Sequence, residues 1–81
     1  MKLKYLIVEQ DEMDAVILFS PFLLHKDVAG DKTVKSAGFC NMDMSGSWVA
    51  SGESVSLNCR ARPEDVDILN EHLAVTMCQT V

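Results

Sequence analysis

Side chains able to do chemistry are few in this chain, and they are scattered. Two histidines (His25, His72), three cysteines (Cys40, Cys59, Cys78) and the acidic run Asp11-Glu12-Met13-Asp14 are the raw material for a metal or nucleophilic site. A metal site is usually announced by ligands closely spaced on one element, and no C-x-x-C, H-x-x-x-H or H-E-x-x-H occurs here. The acidic run fails as a calcium loop: counting from Asp11, Met13 holds position 3 and Val16 stands where the turn glycine belongs. It reads as the solvated tip of a hairpin. No resident metal or cofactor is expected.

A Cys–His nucleophile pair would need His25 to meet Cys40 or Cys59, in an electropositive setting that ionises the thiol. Packing of a helix on a sheet leaves that meeting open. His25, Cys40 and Cys59 therefore define a candidate pocket for a small molecule or a metal, enzymatic or not. The plainer reading makes His25 a surface residue beside Lys26 and Asp27, and makes Cys40 and Cys59 buried thiols that act as small hydrophobes. Cys78 falls in the tail and reads as an incidental exposed thiol.

Ser54 and Ser56 sit at outward strand positions, without the Gly-x-Ser-x-Gly of a nucleophile elbow. Arg60 and Arg62 precede a helix start, where free N–H groups favour anions. Glu64 and Asp65 share that first turn, so the arginines are expected to balance them. Gly30, Gly38, Gly46 and Gly52 are spread evenly and build no phosphate loop. No catalytic motif emerges.

Twelve acids against seven bases leave a net charge of −5, which repels phosphate backbones. Lys2 with Lys4 and Arg60 with Arg62 are too small to form a nucleic-acid footprint. The longest apolar run, Ala15 to Phe19, is far too short to cross a bilayer. The basic, then apolar, N-terminus imitates a signal peptide until Glu9, Asp11, Glu12 and Asp14 interrupt it. Three widely spaced cysteines do not make a secreted disulfide scaffold. A cytoplasmic protein that binds neither nucleic acid nor membrane is expected.

Both prolines, Pro21 and Pro63, stand where a strand-like run gives way to a helix-like one. Residues 2–9 read as a strand that becomes apolar on both faces. Ala15 to Phe19 lacks any alternation and predicts a central strand buried on both sides. Ser20 and Pro21 open a short helix over Phe22 to Ala29, which Gly30 ends. Val34 to Met42 predicts a strand, with a bulge or close approach at Gly38. Asp43 to Gly46 is a hairpin tip, and residues 47–59 are either one bulged strand, the preferred reading, or a hairpin turning at Gly52-Glu53. Pro63-Glu64-Asp65 then starts an amphipathic helix that buries Val66, Leu69 and Leu73, with Ile68 beside them.

The sum is a single α+β domain over residues 1–75 in the order ββα-ββ(β)α, with residues 76–81 as a tail. One twisted, mostly antiparallel sheet should carry both helices on one face. Phe39, Met42, Met44 and Trp48 gather around the second hairpin as a candidate interface. With 48% hydrophobic residues in only 81, the domain has little core in which to hide a tryptophan. A small interaction module pairing with itself as a homodimer, or with another protein, is the leading expectation.

Overall fold

A computed structural model describes the backbone of residues 2–80 and the side chains of residues 2–72. The elements are β1 (Lys2–Gln10), β2 (Met13–Phe19), α1 (His25–Ala29), β3 (Thr33–Met42), β4 (Trp48–Ser51), β5 (Glu53–Ser54), β6 (Cys59–Arg60) and α2 (Asp65–Thr80). This is an α+β domain, and each strand pairing among the described residues is antiparallel. The main sheet has the order β2-β1-β3-β4, and β5 pairs with β6 in a small second sheet.

The first strand is therefore the central one. Tyr5, Leu6, Ile7 and Val8 are all buried, whereas β2 lies at the edge with Asp14 to Phe19 half-buried. The expectation of a central β2 fails for a physical reason. Missing alternation reports cover on both faces, which β2 has, but it is silent about lateral neighbours. Ala15, Ile17 and Phe19 join the cluster around Leu6, Val8, Ala29 and Ala37, while Val16 and Leu18 join the one around Tyr5, Ile7, Cys40 and Leu69.

Those two clusters also place the helices. Ala29 of α1 belongs to one and Leu69 of α2 to the other, and successive β1 side chains point to opposite faces. The helices thus lie on opposite faces of the sheet, correcting the expectation of a shared face. An 81-residue chain with apolar residues at four consecutive β1 positions needs cover on both sides.

Local chemistry sets the turns. Asp11 and Glu12 both have positive φ (54° and 66°), forming a two-residue hairpin between the paired Gln10 and Met13. Phe22 N donates to Ser20 Oγ (3.2 Å) and Leu23 N to Ser20 O (3.1 Å), so Ser20-Pro21 makes a turn. Helix α1 consequently begins three residues later than the Ser-Pro signal suggests. Gly30, at φ 57°, ends it by donating to Lys26 O. At the second hairpin, Asp43 Oδ1 accepts from the Ser45 and Ser47 amides and from Ser45 Oγ.

Gly38 marks a close approach: an added Cβ would lie 2.7 Å from Ser51 O and 3.2 Å from Ala61 Cβ. The bulge lies elsewhere, between Ile7↔Ser36 and Val8↔Val34, where Lys35 is the extra residue. After β4 the chain bends at Gly52 (φ 78°), and residues 55–58 turn sharply, with Asn58 at φ 54°. Residues 47–59 are therefore neither one bulged strand nor a hairpin turning at Gly52-Glu53. The alternating Ser54–Cys59 stretch is mostly a tight turn, because Asn58 adopts the left-handed conformation that closes it. Helix α2 keeps its backbone to Thr80; the side chains of Leu73, Val75, Met77 and Cys78, and all of Val81, lie outside the described residues.

Candidate functional site

The sheet separates the three residues of the sequence-derived pocket. His25 stands on the α1 face at the start of that helix. Cys40 is fully buried in the opposite cluster, with Tyr5, Ile7 and Leu69. Burial pushes the Cys40 thiol up to about 11, the reverse of what a nucleophile needs. Cys59 is on the α1 side, packed near Leu57, whose carbonyl lies 3.5 Å from its sulfur. Cys40 and Cys59 are both free thiols. Among the described residues, no three His, Cys, Asp or Glu side chains are placed to hold a metal ion.

His25 itself is only 3% exposed. Its ring sits edge-on between Phe19 and Phe39, at centroid distances of 5.3 and 6.0 Å. Nε2 lies 2.9 Å from Gly38 O, and a carbonyl only accepts, so the ring donates from Nε2. Burial lowers the pKa of His25; the Gly38 bond acts the other way, and the nearby Lys4 charge adds to the lowering. A neutral imidazole with its proton on Nε2 follows.

Beside this ring opens a cleft of about 430 Å³. Leu24 and His25 form one wall, the Glu53–Ser56 segment forms the other, and Lys4 and Phe39 complete it. Lys4 and Phe39 are cross-strand partners, which brings them to the same face of the sheet. The ammonium groups of Lys2 and Lys4 lie 5.0 and 5.8 Å from the centre of the Phe39 ring. Lys4 Nζ also donates to Leu23 O at 2.7 Å. Ser54, with 2% exposure, meets Ser56 hydroxyl to hydroxyl at 3.3 Å.

The interface quartet is also divided. Phe39 faces α1 beside the lysines, while Trp48 packs on the Tyr5 cluster on the other side. Met42 pairs with Trp48 across the hairpin, and Met44 is fully exposed at its tip. The edge of β4 at Trp48 is already engaged. Asn70 Oδ1 accepts from Trp48 N (2.8 Å) and Asn70 Nδ2 donates to Trp48 O (3.0 Å). The side-chain amide thus does what a neighbouring strand would do.

A second polar centre was not anticipated. The Asp65 carboxylate is completely buried and accepts from Tyr5 Oη (2.5 Å), Ser36 Oγ (2.9 Å), Arg62 N (2.9 Å) and Arg62 Nε (2.9 Å). Burial first, then the Asp65 hydrogen bond and charge, raise the Tyr5 hydroxyl above its usual pKa. The reach back from Asp65 to the Arg62 amide is half of a capping box, while the part legible in the sequence is the charge balance between Arg62 and Asp65. Four donors on one buried carboxylate satisfy it fully and tie α2 to β1 and β3. This centre holds structure together.

No protein-family model, curated protein or solved structure matches the chain.

Proposed function

We propose that this protein is a small cytoplasmic interaction module that self-associates by pairing β2 with β2 of a second copy. One observation carries the reading: β2 is a seven-residue edge strand whose last five residues, Ala15 to Phe19, are all apolar. Natural edges are commonly blunted by charge, proline, a bulge or shortness, and of these β2 has only the charge of Asp14, which Lys35 Nζ pairs at 2.6 Å. In a two-residue hairpin the closing pair exchanges both hydrogen bonds, so Asp14, Val16 and Leu18 turn their backbone groups outward. These three are symmetric about Val16, so a two-fold pairing of Val16 with its copy sets Asp14 opposite Leu18 twice. The β4 edge, by contrast, is engaged at Trp48 by Asn70.

Native mass spectrometry across a concentration series tests this reading. The wild type should be dimeric at micromolar concentration, and Val16→Pro, which removes an outward N–H, should be monomeric with unchanged far-UV dichroism. Met44→Asp, at the exposed hairpin tip, should leave the mass unaltered. Exchange of the Asp14, Val16 and Leu18 amides should slow as protein concentration rises. A monomeric wild type, or amides indifferent to concentration, refutes β2 pairing; a mass lowered by Met44→Asp returns the interface to the second hairpin.

A further inference from the structure

We propose that the cleft beside His25 binds a small amphipathic monocarboxylate, with the carboxylate on Lys4, Ser54 and Ser56 and the apolar part against Phe39, Leu24 and Val55. This inference is independent of self-association, since the cleft lies on the α1 face and not at the β2 edge. At about 430 Å³ it falls within the roughly 300–1,000 Å³ typical of small-molecule sites.

The donors select the ligand's head. Lys4 Nζ gives one hydrogen bond to Leu23 O, and an ammonium has two more to give. Ser54 is buried, yet among the described residues its hydroxyl meets only Ser56, at a distance long for O–H···O. Each hydroxyl has one hydrogen, so one is available while the pair holds together and both are once a ligand separates them. His25 adds no positive charge, being neutral with Nε2–H held by Gly38 O. An acceptor ligand with one negative charge fits one ammonium and two hydroxyls. Glu53 on the same wall, opposite Arg60 in the β5–β6 pair, disfavours a second negative charge.

The rim selects the tail. Leu24 is half-exposed and Val55 is 86% exposed, flanking the opening with apolar surface that gains from being covered. The Phe39 ring continues that surface inward.

Octanoate is the probe, followed by amide and methyl chemical shifts, with octanol and octylamine as comparators. Octanoate should shift Lys4, Phe39 and Ser54, octanol should bind at least about tenfold more weakly, and octylamine should not bind. Lys4→Met should weaken octanoate binding roughly tenfold or more, the effect of losing one charge-assisted contact. Glu53→Gln, at an exposed position, should tighten it, and reads the sign of the charge effect even if Lys4→Met does not fold. Octanol binding as well as octanoate, weaker octanoate binding to Glu53→Gln, or the absence of octanoate shifts at these residues overturns the proposal.

Discussion

The phenolic oxygen of Tyr5 lies 2.5 Å from Asp65 Oδ2, joining the central strand to the first turn of the last helix across sixty residues of chain. Removing that hydroxyl leaves a buried carboxylate short of one donor. Tyr5→Phe should cost about 1.5–3 kcal/mol, the range for hydrogen bonds to charged groups. Urea denaturation with an unchanged m-value is the check. Asp65→Ala should cost more, because it removes the partner of Arg62 Nε and of the Tyr5 and Ser36 hydroxyls together.

Asn70→Ala should uncover the β4 edge. Two hydrogen bonds of roughly 0.5–1.5 kcal/mol each connect this side chain to Trp48, so about 1–3 kcal/mol should be lost. The specific readout is faster hydrogen exchange of the Trp48 amide, with β2 amides unaffected at fixed concentration.

Gly38→Ala should destabilise the fold by about 1–3 kcal/mol through overpacking. The new methyl would meet Ser51 O at 2.7 Å and the Tyr5 ring at 3.3 Å. Backbone cannot retreat as a flexible side chain can, so thermal denaturation should show a clear drop in Tm. Gly46→Ala has free space, and its cost should come only from its positive φ of 89°.

His25 gives the fold an acid sensitivity whose sign is fixed. Its pKa is lowered from 6.5 by burial, so on acidification the unfolded chain takes up the proton first. The contribution of His25 is fully present above about 6.5 and is lost as pH falls through its folded value. Stability measured from pH 7 to pH 5 should fall more steeply for the wild type than for His25→Gln. Equal slopes would mean that His25 is not buried as a neutral ring.

Cys40 acts at the other end of the scale. Raised from 9.0 to about 11, it should make stability decline as pH climbs between those values. In native protein near pH 8 it should resist alkylation until the chain unfolds, read cysteine by cysteine by mass spectrometry.

Much of the architecture was legible where a residue type has one local use. Gly30 ended α1 and Asp43 to Gly46 made a hairpin tip, while Pro63 lies in a turn two residues before α2, which begins at Asp65. Lateral order was not legible, because Ala15–Phe19 and Leu6–Val8 carry the same apolar message while one lies at an edge and the other at the centre. Asn58 hid a turn inside an alternating run. The cleft was legible only at His25; Lys4 and Ser54 come from distant segments, and nothing in the sequence joins them to it. For Asp65 the sequence shows an acid at a helix start with Arg62 to balance it, as the structure has it; nothing in the sequence says that Tyr5 and Ser36 converge on it.

The central position of β1 also dictates an order of events during synthesis. The β1–β2 hairpin uses only local contacts and can close as soon as Phe19 is made. Its β1 side then stays bare until β3 is complete at Met42, because β3 must cross past α1 to reach it. For that interval the strand that is most deeply buried in the folded protein is half-paired on a nascent chain. The rate at which residues 20–42 emerge behind the hairpin should therefore govern how much of the product is captured by chaperones or lost to aggregation.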